Sequence, residues 1–185
     1  MAAQLPSVLE IHYTNALLKK NLYLTQPNSN EQLFTVEKRS GGVLSRAQLT
    51  VSAAGPHPTV IGTVSFPRTA RDIELSMHGQ TQTVGRNGIF SRPYAMQSGA
   101  VGTVLEWKRD MFSRDMKLTD TKTGQVLGRY LAASFSMKKQ GTMEINAMGD
   151  QRLFEEILVS GLGMVEATRR AAAAGAAGAA GAGVT

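Results

Sequence analysis

Apolar and polar residues alternate along much of the first 148 positions of the chain. The alternation is strictest in residues 72–77, 115–119 and 142–147, where every second side chain is apolar. Because successive side chains of a β-strand point to opposite faces, each of these segments has one face suited to burial and one suited to water. This pattern is typical of antiparallel sheets and predicts a mainly β protein.

Further strand candidates fill the intervals between these three segments. Turn signals such as Gly55-Pro56 and Arg86-Asn87-Gly88 separate them at the spacing of about 8–12 residues that is typical of barrels and sandwiches. Counted with the three segments above, they bring the total to about twelve strands before residue 149. The further candidates are 7–14, 21–25, 32–38, 45–51, 59–65, 80–84, 88–92, 103–108 and 125–137.

The hydrophobic period changes after residue 149 and predicts a helix at about 151–170. Asp150 is suited to cap its first turn. Acidic residues lie early in this segment and Arg169 and Arg170 lie late, an order that suits the helix dipole. Residues 157–165 carry no charge, and at 100° per residue they cover the whole circumference of a helix. A helix that is apolar all round is expected to be buried on all sides.

The predicted helix is therefore expected to form the core of the domain. Gly161 and Gly163 cost about 1 kcal/mol each relative to alanine within a helix, and a close approach of surrounding backbone is the expected reason for them. From residue 171 to residue 185 the chain is almost entirely alanine and glycine, which predicts a flexible tail. The expected core side chains of the helix are Leu153, Phe154, Ile157, Leu158, Leu162 and Val165.

Strands and one apolar helix together predict a specific architecture. An eight-stranded barrel can be filled by its own side chains, whereas a barrel of about twelve strands needs an occupant for its lumen. We therefore predict one domain over residues 1–170, a twelve-stranded antiparallel β-barrel that encloses a C-terminal hydrophobic α-helix. Removal of the helix is expected to abolish folding.

Three sequence segments carry a resemblance to a known superfamily. They are LEWKR at residues 105–109, LTDTKTGQVLGRY at residues 118–130 and LFEEILVSGL at residues 153–162. In this order they resemble the later strands and closing helix of the Tubby C-terminal-like superfamily, which includes Tubby proteins, LURP-one-related proteins and phospholipid scramblases. The resemblance is strongest over residues 103–170. It implies a twelve-stranded barrel threaded by a hydrophobic helix, and it implies lipid binding only in outline. The cysteines and calcium-site character of scramblases are absent.

The chain offers little catalytic chemistry. Its histidines, His12, His57 and His78, lie far apart, and none has a partner at the spacing of a metal site. No zinc-binding, phosphate-loop, nucleophile-elbow or calcium-loop motif occurs. The lack of cysteine excludes disulfides, thiolate metal sites and a cysteine nucleophile. We therefore predict a non-enzymatic protein with no catalytic residues, no metal and no cofactor.

Positive charge is the feature that most suggests a ligand. The net charge is +6 and the isoelectric point is near 9.8, so the surface can attract phosphate. Strand alternation predicts that Lys108 and Arg109 lie on opposite faces, so that not all of the cations converge. We predict a lipid-headgroup site on the outer face of the strands, and an ordinary solvated face is the alternative. The candidate residues are Lys108, Arg109, Arg114, Lys117, Lys138 and Lys139.

These features favour a membrane-surface module that recognises an anionic phospholipid, such as a phosphoinositide. The alternative is a structural or protein-interaction scaffold with no small-molecule ligand. Nucleic acid is disfavoured because aromatic residues make up only 6% of the chain and no aromatic-rich strand lies among the cations. No run of 18 apolar residues predicts a transmembrane span, and no targeting segment stands out. The expected location is the cytoplasm, with peripheral membrane attachment or the nucleus as further expectations.

Overall fold

The computed structural model describes residues 5–15, 21–41, 45–67, 72–86, 93–110, 112–134, 136 and 138–181. Twelve strands precede a single helix, α1 (Gln151–Gly181), in these segments. The strands are β1 (Val8–Tyr13), β2 (Leu22–Thr25), β3 (Gln32–Arg39), β4 (Ala47–Ala53), β5 (Thr59–Phe66), β6 (Ile73–Met77), β7 (Gln80–Arg86), β8 (Tyr94–Gln97), β9 (Val104–Arg109), β10 (Met116–Asp120), β11 (Val126–Ala132) and β12 (Lys139–Ile145).

The twelve strands form one closed antiparallel barrel, which confirms the predicted fold. Each strand pairs with its neighbours in the sequence, and β1 closes the barrel by pairing with β12 at Val8↔Glu144. One predicted strand, 88–92, lies outside the described residues. The strand that the structure contains in this part of the chain is β8, at Tyr94–Gln97.

Alternating side chains separate the lumen of the barrel from its outer surface. In β6, Ile73, Leu75 and Met77 are buried, while the intervening Glu74 and Ser76 are only partly so. The same alternation buries the apolar residues of β10 and β12. The period-2 pattern therefore identifies the inward face of these strands correctly.

Helix α1 fills the lumen of this barrel. It begins after Asp150, whose Oδ1 accepts a 3.0 Å hydrogen bond from the backbone N–H of Leu153 as a helix cap does. Residues 156–166 are all buried, so three turns of the helix have no solvated face. Strands on several sides contact it: the ring of Phe34 on β3 lies 5.8 Å from that of Phe154. All six predicted core side chains of the helix are buried.

The two glycines of the helix meet neighbouring side chains, which corrects the expectation that backbone approaches them. A Cβ atom on Gly161 would lie 2.8 Å from Met143 Cε and 3.0 Å from Trp107 Cζ2. One on Gly163 would lie 3.0 Å from Val64 Cγ1. Side chains of the barrel wall therefore occupy the space that larger helix residues would need.

The helix is longer than predicted, since it runs to Gly181 and does not end at about residue 170. Arg169 and Arg170 consequently lie within the helix and not in its last turn, and they pair with Glu166. The two arginines therefore form ion pairs with Glu166. The prediction that they lie at the end of the helix and complement its dipole is wrong. In the described part of the chain, no helical segment is long and apolar enough to cross a membrane.

Candidate functional site

Three cations form a row across adjacent strands on the outside of the barrel. Lys117 on β10 stands opposite Lys108 on β9 and opposite Arg129 on β11 in the strand register. All three side chains are exposed, because each alternates with an inward-facing neighbour such as Trp107 or Leu118. Directly opposed residues hold their Cβ atoms about 4.5–5.5 Å apart, so the row concentrates positive charge across three strands.

This row crosses a depression of about 450 Å³. Four cationic and two acidic side chains line it, together with three apolar ones. Its volume lies within the range of about 300–1,000 Å³ that is typical of small-molecule sites. The lining residues are Lys108, Arg109, Asp110, Phe112, Asp115, Met116, Lys117, Arg129 and Leu131.

Both acidic residues of the depression are engaged by backbone groups. Asp110 Oδ1 accepts hydrogen bonds from the N–H groups of Phe112 (2.8 Å) and Ser113 (3.3 Å) and so shapes the loop between β9 and β10. Asp115 Oδ1 accepts a 2.8 Å bond from the N–H of Ala132 on β11. The carboxylates thus stabilise the loop, while the cations of the depression face solvent.

Two of the three apolar residues that line the depression are exposed to solvent. Phe112 is 97% exposed and Leu131 is 40% exposed, and both line the same space as the cations. An exposed aromatic side chain beside a cationic row is a feature that neither charge nor strand alternation predicts. The depression therefore combines anion attraction with an accessible apolar group.

The structure brings together three of the six candidate residues, Lys108, Arg109 and Lys117. The register keeps Lys108 and Arg109 on opposite faces as expected, since Lys108 stands opposite Lys117 and Arg109 stands opposite the inward-facing Met116. Both are nevertheless exposed, and both line the depression. Arg109 is the last residue of β9, where the strand leaves the buried core. Arg129 belongs to the depression and was missed, since cross-strand register cannot be read from local sequence.

The other three candidates lie elsewhere. Lys139 Nζ donates a 2.7 Å hydrogen bond to Glu10, which holds the pKa of that carboxyl below its ordinary value. Lys138 is exposed in the segment before β12 and does not line the depression.

Arg114 is also exposed and lies outside the lining of the depression. Burial raises the pKa of Tyr13 and of Tyr130, and the charge of Arg114 opposes part of that rise. The charge of Arg114 therefore acts on these phenols, which are not part of the depression.

Two buried glutamates of α1 fix the helix in the barrel. Glu156 is 3% exposed, and its Oε1 accepts hydrogen bonds from the N–H groups of Gly99 (3.0 Å) and Ala100 (3.1 Å). Its Oε2 accepts a hydrogen bond from the hydroxyl of Ser98. The loop that joins β8 to β9 is thus tied to the first part of the helix.

Glu166 forms the corresponding anchor further along the helix. It is 1% exposed and lies 3.0 Å from Lys38 Nζ and 2.9 Å from the guanidinium groups of Arg169 and Arg170. Burial raises the pKa of Glu166, but hydrogen bonds from Arg169 and the charge of Lys38 outweigh it and leave the pKa below its ordinary value. Burial lowers the pKa of Lys38, and Glu166 opposes that shift.

No known protein family, curated protein or solved structure matches this chain. A closed twelve-stranded antiparallel barrel with one C-terminal helix is nevertheless the shape of a Tubby-like fold. The likeness is one of fold shape alone.

Proposed function

We propose that the protein is a non-enzymatic module that binds anionic phospholipid headgroups, such as phosphoinositides, at a membrane surface. The binding site is the depression across β9, β10 and β11. The row Lys108, Lys117 and Arg129 carries the proposal, because it places three cations in register around a concave surface. Each cation near an anionic bilayer contributes about 1 kcal/mol to attraction. Membership of the Tubby C-terminal-like superfamily is part of the proposal and is supported by the barrel-and-helix architecture.

Headgroup phosphates suit this depression for a second reason. Asp110 and Asp115 are held by backbone N–H groups, so they are positioned to shape the loop while Lys117 and Arg129 are left to meet an anion. Arginine offers paired donors to phosphate oxygens, and lysine acts as a compact charge beside it. A ligand with several phosphates can contact the row at more than one point.

Sedimentation with lipid vesicles tests the proposal. Three compositions are compared: phosphatidylcholine alone, phosphatidylcholine with phosphatidylserine, and phosphatidylcholine with a phosphatidylinositol bisphosphate at equal total negative charge. We expect binding to both anionic vesicles, stronger binding to the phosphoinositide, and weakening as salt rises. Equal binding to neutral vesicles would contradict the proposal, and binding to no vesicle would favour the protein-interaction scaffold.

A matched pair of variants locates the site. Lys117→Glu reverses the central charge of the row, whereas Lys122→Glu makes the same change at an exposed turn beyond β10. Reversing one cation alters the attraction by about 2 kcal/mol, so Lys117→Glu should weaken binding about 30-fold. Lys122→Glu should have a much smaller effect. Equal weakening by both variants would show that net charge, and not the depression, governs binding.

A further inference from the structure

Phe112 is almost fully exposed to solvent in the part of the chain that the structure describes. It is 97% exposed, the highest value among the exposed large hydrophobic residues of the described chain. Large apolar side chains on a surface are informative when they adjoin a site, and Phe112 shares its depression with four cations and with the half-exposed Leu131. The ring is informative because it is exposed beside four cations, and not because it is exposed alone.

The loop that carries Phe112 is held firmly by hydrogen bonds. The N–H of Asp110 donates to the carbonyl of Asp115 at 2.9 Å, and Asp110 Oδ1 accepts the N–H of Phe112 itself at 2.8 Å. The N–H of Asp115 donates to Ser113 Oγ at 3.0 Å.

A further bond ties the same loop to the wall of the barrel, from the N–H of Ala132 to Asp115 Oδ1. Because the backbone is already held at positions 110, 112 and 115, little backbone entropy is lost when the ring is buried in a partner.

The surroundings of the ring match one kind of partner. A bilayer surface offers phosphate groups in one layer and hydrocarbon just beneath it, and phenylalanine and leucine are among the residues that membrane-surface segments bury at this boundary. The depression offers cations and an accessible phenyl ring side by side. The long stems of lysine and arginine allow their charges to stay with the phosphates while an adjacent apolar group goes deeper.

We infer that Phe112 is a hydrophobic anchor that inserts beneath the phosphate layer of an anionic membrane, with Leu131 beside it. This inference rests on the proposed function and adds the orientation of the barrel. The β9–β11 face lies on the membrane, and the far side of the closed barrel, including Val60 on β5, faces away. Two interactions therefore contribute to binding. Electrostatic attraction is screened by salt, whereas burial of the apolar ring is not.

The absence of cysteine from the chain permits a direct test. Phe112→Cys and Val60→Cys each create a single labelling position for an environment-sensitive nitrobenzoxadiazole fluorophore. Val60 is the matched control, since it is apolar and 58% exposed on the opposite side of the barrel. We expect the label at position 112 to become brighter and blue-shifted on phosphoinositide vesicles and to be quenched by lipids with a quencher in the acyl chain. The label at position 60 should remain in water.

An unlabelled variant provides an independent readout. Phe112→Ser should weaken vesicle binding about tenfold and make the remaining binding more sensitive to salt, whereas Phe112→Leu should retain most of it. The melting temperature of each variant checks that the barrel is intact, and no change is expected at so exposed a position.

The outcomes separate the two proposals. If unlabelled wild-type protein sediments with anionic vesicles but the label at position 112 stays in water, the anchor is wrong and the headgroup site stands. If both labels enter the membrane, the proposed orientation is wrong. If wild-type protein binds no vesicle, the proposed function and the proposed anchor are both wrong.

Discussion

The indole N–H of Trp107 donates a 2.9 Å hydrogen bond to the hydroxyl of Ser160. The bond joins strand β9 to the middle of α1, and both side chains are almost fully buried. It satisfies the one polar group of a large aromatic side chain that otherwise packs among apolar residues. The bond therefore fixes one position of the helix relative to the barrel wall.

Ser160→Ala should leave the indole N–H buried and unpaired. We expect the free energy of unfolding to fall by about 1–3 kcal/mol. Urea unfolding followed by the fluorescence of Trp107, the single tryptophan, measures this directly. Ser134→Ala, at an exposed position, is the control and should change the stability little. An equal effect of both substitutions would contradict the structural role of the bond.

Gly128 on β11 makes room for the helix. A Cβ atom at this position would lie 2.8 Å from Ile157 Cγ2, a branched and stiff side chain. Gly128→Ala should therefore lower the free energy of unfolding by about 1–3 kcal/mol.

A double-mutant cycle isolates this contact. Ile157→Ala alone should cost about 2–5 kcal/mol and should cost less when residue 128 is already alanine, since the added methyl group fills part of the space. Strict additivity in denaturant unfolding would show that the two residues do not share this space.

Glu166 should make the stability of the protein depend on acidic pH. Its pKa is lowered in the folded state, so its contribution is complete above the ordinary glutamate range and is lost as the pH falls through that range toward the lowered value. Glu166→Gln should remove about 3–5 kcal/mol at neutral pH, because it leaves the Lys38 ammonium buried without an anion. The substitution should also make the free energy of unfolding depend less on pH in the acidic range.

Chemical denaturation at a series of pH values checks this expectation. Glu31→Gln, at an exposed position, should keep the wild-type pH profile. Adding Lys38→Met to Glu166→Gln should recover part of the lost stability, since the unpaired charge is then gone. No recovery would contradict the view that the pair Lys38–Glu166 is what the substitution breaks.

Deletion of residues 151–185 should abolish cooperative unfolding. The helix contributes large apolar side chains whose burial is worth on the order of 10–20 kcal/mol, as much as the net stability of a domain. Deletion of residues 171–185 is the matched control. The side chains of Ala171–Ala174 are exposed, and their removal should leave a cooperative transition near that of the full chain. Thermal melting followed by circular dichroism distinguishes the two, and a folded product of the longer deletion would contradict the role of the helix.

The barrel and its helix could be predicted because both follow from periodicity. Alternation in β6, β10 and β12 identifies strands that are half buried, and Asp150 marks the point at which the period changes. The strand β8 was missed because it has only four residues and no clear alternation.

The site was predicted only in part, because it depends on neighbours across strands. Arg129 joins Lys117 through the register of β10 with β11, which no local pattern specifies. Phe112 lies in a loop, where periodicity has no meaning. Glu166 was overlooked because no local pattern pairs it with Lys38, and only the fold shows that Lys38 covers it.

The pairing of β1 with β12 has a consequence for biosynthesis. One edge of β1 pairs with β2, but its other edge, at residues 8–12, pairs with residues 139–144 of β12. The helix that fills the lumen follows all twelve strands in the described chain. A ribosome therefore releases the strands before either the closing partner or the lumenal core exists. Contacts of such long range form slowly, so we expect the nascent strands to remain exposed and to need protection from aggregation until α1 has been translated. Pulse proteolysis of stalled nascent chains should show resistance only when the helix has left the exit tunnel.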